Sequence, residues 1–213
     1  MFKGIIFDMD GVLLDSEEQI CEAAIRFFAE RGVTVKAEDF VPFVGRGENR
    51  YLGGVAEKYG VELDLEPDKL RLYAIYDEIV SGKIEPLPGV HEFIHQCKKL
   101  GIKTAVATSA DRAKMVINLR EINLTADAFD ATVNGSEVEH KKPAPDLFLT
   151  AAERIGVPAS ECLVIEDAPS GIQAGLAAGA KCLGITTSFD AENLPGAQWY
   201  APNLSEAFFI FEL

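Results

Sequence analysis

The sequence has 213 residues, of which 48% are hydrophobic and 25% are charged, so it can bury the core of one or two compact domains. Acidic residues outnumber basic residues by 34 to 20, which gives a formal net charge of −14 at pH 7. A surface that acidic repels nucleic-acid backbones and anionic lipids, and this disfavours both as partners. An anionic substrate would need a local positive site, which a metal ion could supply.

The sequence predicts neither a membrane span nor a secretory signal. No stretch reaches the roughly 18 apolar residues that cross a bilayer. Asp8 and Asp10 interrupt the apolar N-terminus before a signal-peptide core forms. The four cysteines have irregular spacing without a CxxC pair or a zinc pattern, so we expect reduced, mostly buried thiols in a cytoplasmic protein. They are Cys21, Cys97, Cys162 and Cys182.

Short apolar runs bounded by Gly, Asp or Ser predict strands, and helical patterns alternate with them. The strands are expected at residues 3–9, 103–108, 128–133, 162–165 and 181–185. The helices are expected at residues 89–100, 111–122, 145–155 and 170–178. This alternation indicates an α/β fold, a doubly wound, Rossmann-like parallel sheet covered on both faces. The C-terminal ends of such strands share one edge of the sheet, where ligands bind.

Residues 16–83 break the alternation, because they contain helical patterns and no convincing strand. Ser16 is a candidate N-cap for a first helix, and Pro67 is expected to begin another. We therefore predict a helical domain over 16–83, inserted into a sheet domain formed by 1–15 and 84–213. Near the C-terminus, Trp199 and Tyr200 are expected on an edge strand, before an aromatic run that packs a last helix.

The strongest chemical pattern is the first strand, which ends in Asp8 and Asp10 and is followed by Gly11. Alternate strand residues point to the same side, so the two carboxylates can face one pocket about 7 Å apart. Carboxylates beside an apolar strand require compensation, and Mg²⁺ prefers such oxygen ligands. The alternative is that both residues only cap the turn that follows.

A second strand also ends in carboxylates, Glu166 and Asp167. If this strand pairs in the same sheet, its end lies on the same edge as Asp8. Adjacent strand residues face opposite ways, so we expect one carboxylate to bind the metal and the other to orient it. Helix capping is the alternative, and it explains Glu166 poorly.

Two further segments add phosphate-binding groups. The strand at 103–108 ends in Thr108 and Ser109, whose hydroxyl and backbone N–H groups could hold phosphate oxygens. Lys142, before a proline, could direct its ammonium group at the pocket, although a solvated basic loop is the alternative. Together the four segments predict a metal-assisted phosphoryl-transfer site. The P-loop and GxGxxG patterns are missing, which counts against NTP binding of that kind and against nicotinamide or flavin binding.

These residues resemble the four motifs of the haloacid dehalogenase superfamily, in the same order and over nearly the whole chain. The matching segments are 8–12, the strand ending at Thr108, 142–143 and 166–167. The helical insertion resembles the small α-helical cap of the branch that contains beta-phosphoglucomutase and phosphoglycolate phosphatase.

The resemblance implies a role for each motif residue. Asp8 would be the nucleophile that forms an aspartyl-phosphate, and Asp10 would protonate the leaving alcohol and then activate water. Thr108 and Lys142 would bind the transferring phosphoryl group, helped by the backbone N–H of Ser109. Lys142 would also lower the pKa of Asp8 as a nearby opposite charge.

The resemblance also implies a Mg²⁺ cofactor. The Asp8 side chain, the Asp10 backbone carbonyl and Asp167 would hold it, with Glu166 close by. An aspartate at position 10 argues against halide substrates, because cleavage of a carbon–halogen bond needs no proton donor.

We predict a Mg²⁺-dependent phosphatase, with a phosphosugar mutase as the alternative and a non-catalytic binding domain as a third hypothesis. The mutases of the family carry a histidine early in the first cap helix and a cap lysine. Ile20 stands at about the histidine position, and Lys69 and Arg71 match the lysine only loosely.

The two glycines of segment 43–50 predict a loop over the pocket. Its charged residues Arg46, Glu48 and Arg50 could bind the leaving group of the substrate, or lie in solvent. The expected partner is a small phosphorylated metabolite, with no nucleic acid and no membrane, and the protein is expected to be a monomer.

Overall fold

The computed structural model describes residues 2–43 and 47–212 of the chain. Six strands form one parallel sheet in the order β3-β2-β1-β4-β5-β6. They are β1 (Gly4–Phe7), β2 (Lys103–Ala107), β3 (Ala131–Val133), β4 (Cys162–Glu166), β5 (Lys181–Ile185) and β6 (Trp199–Ala201). The predicted α/β class and parallel sheet are confirmed.

Both faces of the sheet are buried, which explains why its strands are continuously apolar. Ile5 and Phe7 belong to one apolar cluster, whereas Ile6 between them belongs to another. Alternate strand residues point to opposite faces, so each face needs its own cover of helices. β1 lies in the middle of the sheet, between β2 and β4.

Four helices alternate with the later strands, as predicted. They are α4 (Val90–Lys99), α5 (Arg112–Glu121), α6 (Asp146–Arg154) and α7 (Pro169–Ala177). Helices α6 and α7 pack on β1 to β5 through the cluster that contains Ile6. The aromatic run at the C-terminus forms the 3₁₀ helix Phe208–Glu212, which packs on Phe93 of α4.

The segment between β1 and α4 is helical. It contains α1 (Glu17–Ala29), α2 (Glu48–Tyr59) and α3 (Leu65–Val80), and α1 packs against α3. Its buried side chains join the cluster that also contains Phe7, so the apolar core runs on from the insertion into one face of the sheet. The chain leaves and re-enters the sheet side by side, because Leu14 pairs with Pro86. The domain limits at 15/16 and 83/84 stay a prediction.

Two local predictions were correct only in part. Ser16 precedes α1 but makes no side-chain cap, because its hydroxyl donates to Asp10 instead. Segment 43–50 is not a loop throughout, since Glu48 begins α2 and Gly47, with a φ of 80°, supplies the turn before it. By contrast, β6 is the edge strand expected around Trp199.

All four cysteines are free, and three of them are buried, as expected. Within residues 2–43 and 47–212, the helices are too short or too polar to cross a membrane.

Candidate active site

The ends of three neighbouring strands bring the predicted chemical groups to one edge of the sheet. Asp8 follows β1, Thr108 follows β2, and Glu166 ends β4. Asp8 donates its backbone N–H to Ile165 at 2.9 Å, which continues the ladder between β1 and β4 by one residue. A cavity of about 720 Å³ lies over this edge, and residues of α1 and α2 close its other side.

Lys142 is the central cation at the floor of this cavity. Its ammonium group donates to Asp8, to Glu166 Oε1 at 2.5 Å and to the backbone carbonyl of Ala107 at 3.3 Å. Only 6% of the lysine side chain is exposed, so the charge is held by these partners rather than by water. The sequence analysis predicted that the Lys142 amine points into the pocket, and in the structure Lys142 lines the cavity.

Asp8, Glu166 and Asp167 form a compact carboxylate cluster, with one oxygen of each within 4.8 Å of the others. Glu166 Oε2 accepts the backbone N–H groups of Asp167 at 2.9 Å and Ala168 at 3.0 Å, which orients it. Lys142 is the cation within hydrogen-bonding distance of Asp8 and Glu166. Three buried carboxylates, only two of which contact this amine, have spare oxygen ligands and excess negative charge, which suits a hard divalent cation. The residues therefore fit Mg²⁺.

Burial and the repulsion of neighbouring carboxylates raise the pKa values of Asp8 and Asp167. Desolvation raises the pKa of Asp8 to about 7, although Lys142 acts in the opposite direction. Burial, then Glu166 and Asp8, raise the pKa of Asp167 well above its usual range. The expectation that Lys142 lowers the pKa of Asp8 is correct for its own contribution, but desolvation outweighs it. A bound cation would favour the ionised carboxylates.

Two glycines let the backbone approach these carboxylates. A Cβ at Gly11 would lie 1.9 Å from Asp167 Oδ2, and a Cβ at Gly171 would lie 1.8 Å from Glu166 Oε1. Gly11 also has a φ of 80°, which other residues adopt at a cost. Any other residue at either position would displace a carboxylate of the cluster.

The Asp10 side chain lies outside this carboxylate cluster, although it lines the same cavity. Its Oδ1 accepts from Ser16 and, at 3.4 Å, from Asn118, and its Oδ2 accepts from Lys114 at 3.0 Å. Asn118 in turn accepts a hydrogen bond from Tyr76 of α3. Asp10 is thus tied to both the insertion and α5, and only its backbone is left as a candidate metal ligand.

Lys114 was missed by the sequence analysis. It lies in the first turn of α5, where the sequence alone resembles that of an ordinary exposed lysine, but the structure buries it. Burial lowers the pKa of Lys114, but the carboxylates of Asp10, Glu17 and Glu48 outweigh burial and raise it. Burial also raises the pKa of Glu17 to about 7. The sequence contains no local signal for the group formed by Lys114, Asp10, Glu17 and Glu48, because these residues come from four separate segments.

The phosphate-binding candidates also lie at the cavity. Thr108 is buried, and its hydroxyl accepts the backbone N–H of Ala110 at 3.1 Å. Ser109 also lines the cavity, and its Oγ finds no hydrogen-bond partner in the described structure. The carbonyl of Ser109 accepts from Lys141 at 3.1 Å, a contact that the sequence analysis also missed.

The residues predicted to bind the leaving group separate into three cases. Glu48 is buried and lines the cavity. Arg46 lies outside the described residues. Arg50 is exposed and pairs with Glu57 at 3.1 Å on the surface of α2.

The two candidates for a cap lysine already have partners. Lys69 is buried and donates to Asp111 at 2.9 Å, across the contact between α3 and α5. Arg71 pairs with Glu30 on the surface.

A family model described as haloacid dehalogenase-like hydrolase matches residues 2–179. Protein SUPPRESSOR OF QUENCHING 1, chloroplastic, from Arabidopsis thaliana is 44% identical over 92% of this chain, which spans 19% of that relative's length. Phosphorylated carbohydrates phosphatase from Thermotoga maritima is 32% identical, over 83% of this chain and 82% of its own length.

A solved structure has the same fold over nearly the whole chain. The putative beta-phosphoglucomutase from Thermotoga maritima is 30% identical and superposes with a TM-score of 0.78, covering 99% of this chain and 98% of that one. The family match extends from β1 through α7 and so includes all four motifs. The chain therefore belongs to the haloacid dehalogenase-like hydrolase family.

Proposed function

We propose that this protein is a Mg²⁺-dependent phosphatase that hydrolyses a small phosphorylated metabolite through an aspartyl-phosphate on Asp8. The observation that carries the proposal is the contact of Lys142 with Asp8, beside a carboxylate cluster that fits a divalent cation. A nucleophile, a phosphate-binding cation and a metal site then lie together at the end of one cavity. A phosphatase among the relatives in this family supports the same activity.

Asp8 is the proposed nucleophile, because it lies in the middle of the sheet edge and faces the cavity. A carboxylate oxygen attacks phosphorus, a P–O bond to Asp8 forms, and the ester P–O bond breaks. Lys142 and Thr108 hold the phosphoryl oxygens during this transfer and offset their charge. Water then attacks phosphorus, the bond to Asp8 breaks, and inorganic phosphate leaves.

Asp10 is the proposed acid and base for these two steps. It gives a proton to the leaving alkoxide and then takes one from the attacking water. In the structure both Asp10 oxygens accept hydrogen bonds from Ser16, Lys114 or Asn118. The carboxylate must exchange at least one of these donors for the leaving group when substrate binds.

Asp8, Asp167 and the backbone carbonyl of Asp10 are the proposed ligands of Mg²⁺, and Glu166 orients the group through Lys142 and the backbone. When bound, the cation offsets the charge of the phosphate and of the carboxylates. The chain's own residues supply the nucleophile, the proton transfers and the exclusion of water.

The phosphosugar mutase remains the second candidate, because the putative beta-phosphoglucomutase is a structural neighbour at 30% identity. The ion pairs of Lys69 with Asp111 and of Arg71 with Glu30 weigh against the mutase, because these side chains are not free to orient a sugar phosphate. We extend the phosphatase proposal to phosphorylated carbohydrates as substrates, with support from the Thermotoga maritima phosphatase. The monomeric state stays a prediction.

The test is hydrolysis of 4-nitrophenyl phosphate and of a panel of sugar phosphates, each with and without Mg²⁺. We expect phosphate release that requires Mg²⁺ and that is lost in Asp8→Asn. A ³²P label retained on the wild type but not on Asp8→Asn after acid quenching would identify the intermediate. Interconversion of glucose phosphates without net phosphate release would favour the mutase, and no turnover of any ester would reject both enzymes.

A further inference from the structure

The half of the cavity beneath the insertion contains a buried acid, and one of its carboxylate oxygens has no hydrogen-bond partner among the described residues. Glu48 lies in the first turn of α2 and lines the cavity, and only 5% of the residue is exposed. Its Oε2 has no hydrogen-bond partner within residues 2–43 and 47–212. Buried polar atoms normally have partners, so an orphaned carboxylate oxygen in a cavity indicates a ligand that supplies a donor.

The surroundings of Glu48 carry excess negative charge. Burial raises the pKa of Glu48, and Lys114 and, more weakly, Lys141 oppose that effect. The Lys114 amine also compensates Asp10 and Glu17, so three carboxylates share this amine. Glu17 lines the cavity as well. A second anion placed here would meet repulsion, whereas a hydroxyl or ammonium group would satisfy the free oxygen.

A bound metal ion does not account for this orphaned oxygen as well. Within the described residues, the acidic cluster with metal-like spacing consists of Asp8, Glu166 and Asp167, and Glu48 is not part of it. Lys114 already donates to Asp10 at 3.0 Å, and its ammonium group occupies the position in which a cation would compensate these acids.

We propose that Glu48 determines specificity by accepting a hydrogen bond from a hydroxyl or ammonium group of the leaving group, and by disfavouring substrates with a second phosphate or a carboxylate there. This inference rests on the proposed phosphatase function. It narrows the substrate class to monophosphates of polyols, sugars or amino sugars, in which the distal end of the molecule is uncharged or cationic.

The experiment compares kcat/KM for two matched substrate pairs that differ in distal charge. The first pair is fructose 1-phosphate and fructose 1,6-bisphosphate, assayed for loss of the 1-phosphate. The second pair is glucitol 6-phosphate and 6-phosphogluconate, in which a hydroxymethyl group becomes a carboxylate. Each pair is assayed with the wild type, Glu48→Gln and Glu57→Gln. Glu57 is exposed on the same helix, so Glu57→Gln is the matched control.

We expect the wild type and Glu57→Gln to favour the uncharged member of each pair by about tenfold or more, as for a lost hydrogen bond to a charged group. Glu48→Gln keeps the shape of the side chain but removes its charge, so this preference should fall by about tenfold. The amide oxygen of Glu48→Gln can still accept a hydrogen bond from the substrate. Glu48→Ala, assayed in the same way, removes the acceptor altogether, so the preference should fall in this variant as well.

The outcomes separate the inference from the function on which it rests. Equal kcat/KM within both pairs for the wild type, or a preference unchanged in Glu48→Gln and Glu48→Ala, overturns the inference while hydrolysis of 4-nitrophenyl phosphate upholds the phosphatase. If the wild type hydrolyses none of these esters, the proposed function fails and the inference fails with it.

Discussion

The Nζ atom of Lys114 lies 3.0 Å from Oδ2 of Asp10, so a lysine of helix α5 holds the side chain that follows the central strand. Only 5% of the lysine side chain is exposed. The pair belongs to a buried network that includes Asn118 and, from the insertion, Tyr76. Lys114 therefore couples the position of the proposed acid to the packing of the insertion on the sheet.

Replacing Lys114 with methionine should destabilise the protein. The variant leaves Asp10, Glu17 and Glu48 without their shared cation, and removal of one member of a buried pair costs about 3–5 kcal/mol. Urea unfolding at pH 7 measures this loss. Lys98→Met on the exposed surface of α4 is the control and should change stability by about 0.5 kcal/mol or less.

The double variant Lys114→Met/Glu17→Gln separates charge from packing. Removing one of the uncompensated carboxylates should restore part of the lost stability. If the free energy of unfolding of Lys114→Met were within about 1 kcal/mol of the wild-type value, Lys114 would not be the compensating charge.

The sheet was predictable because each strand can be recognised from its own short stretch of sequence. Each buried strand is a continuous apolar run, and each run that ends in a polar residue places that residue on the shared edge. This rule alone located Asp8, Thr108 and Glu166 on the edge where the structure has them. Lys142 lies in a loop, so its position was predicted from the proline that follows it and from the family resemblance rather than from a strand pattern.

The network around Asp10 was not predictable, because it depends on tertiary packing. Ser16 has the sequence pattern of a helix cap, but its hydroxyl turns toward the charged Asp10 carboxylate and donates to it, and in this orientation it accepts no backbone N–H of α1. Lys114 and Asn118 lie on the buried side of α5, where helical periodicity predicts apolar residues. Contact with α3 determines which polar side chains replace them.

Magnesium should raise the melting temperature. Carboxylates of Asp8, Glu166 and Asp167 repel one another, and a cation that binds the folded protein at 100 times its Kd adds about 2.7 kcal/mol. For a chain of this size, that free energy corresponds to a rise of about 5–10 °C. Differential scanning fluorimetry with increasing MgCl₂ measures it.

Asp167→Asn should abolish most of this shift and raise the melting temperature of the metal-free protein. The second effect follows because burial raises the pKa of Asp167, so its ionised form opposes folding at pH 7. Asp127→Asn, at an exposed position, should retain the full shift. An equal shift in Asp167→Asn would place the cation elsewhere.

Alanine substitutions at two helical glycines should have opposite effects. At Gly171 of α7 the new Cβ would lie 1.8 Å from Glu166 Oε1, and Glu166 is held by Lys142 and two backbone N–H groups. Overpacking of this kind costs about 1–3 kcal/mol. At Gly53 of α2 no atom of the described residues lies within 4 Å of the added Cβ, so alanine should stabilise the helix by up to about 1 kcal/mol.

Chemical unfolding of Gly171→Ala and Gly53→Ala measures both changes. Phosphatase activity should fall in Gly171→Ala, because the displaced Glu166 no longer orients Lys142. If both substitutions changed the free energy of unfolding by the same amount, the Glu166 carboxylate would move away from the new Cβ at no cost, which would contradict the prediction.

The stability of the insertion should depend on pH through Asp39. Hydrogen bonds from the Lys58 amine, from Tyr59 at 2.7 Å and from the backbone N–H of Lys36 at 2.8 Å lower the pKa of Asp39 to about 2. The pKa of an aspartate in an unfolded chain is about 3.9. A folded pKa below the unfolded value stabilises the protein above pH 3.9, and this contribution is lost as the pH falls from about 4 to about 2.

Asp39→Asn should therefore be less stable than the wild type at pH 7, and the difference should narrow as the pH falls through 4. Urea unfolding at pH 7, 5, 4 and 3 measures the difference at each pH. Glu38→Gln is the neighbouring control, because the exposed pair of Glu38 with Lys36 at 3.3 Å contributes little. A difference between Asp39→Asn and the wild type that stays constant from pH 7 to pH 3 would show that Asp39 stabilises the insertion through its shape and neutral hydrogen bonds, and not through its charge.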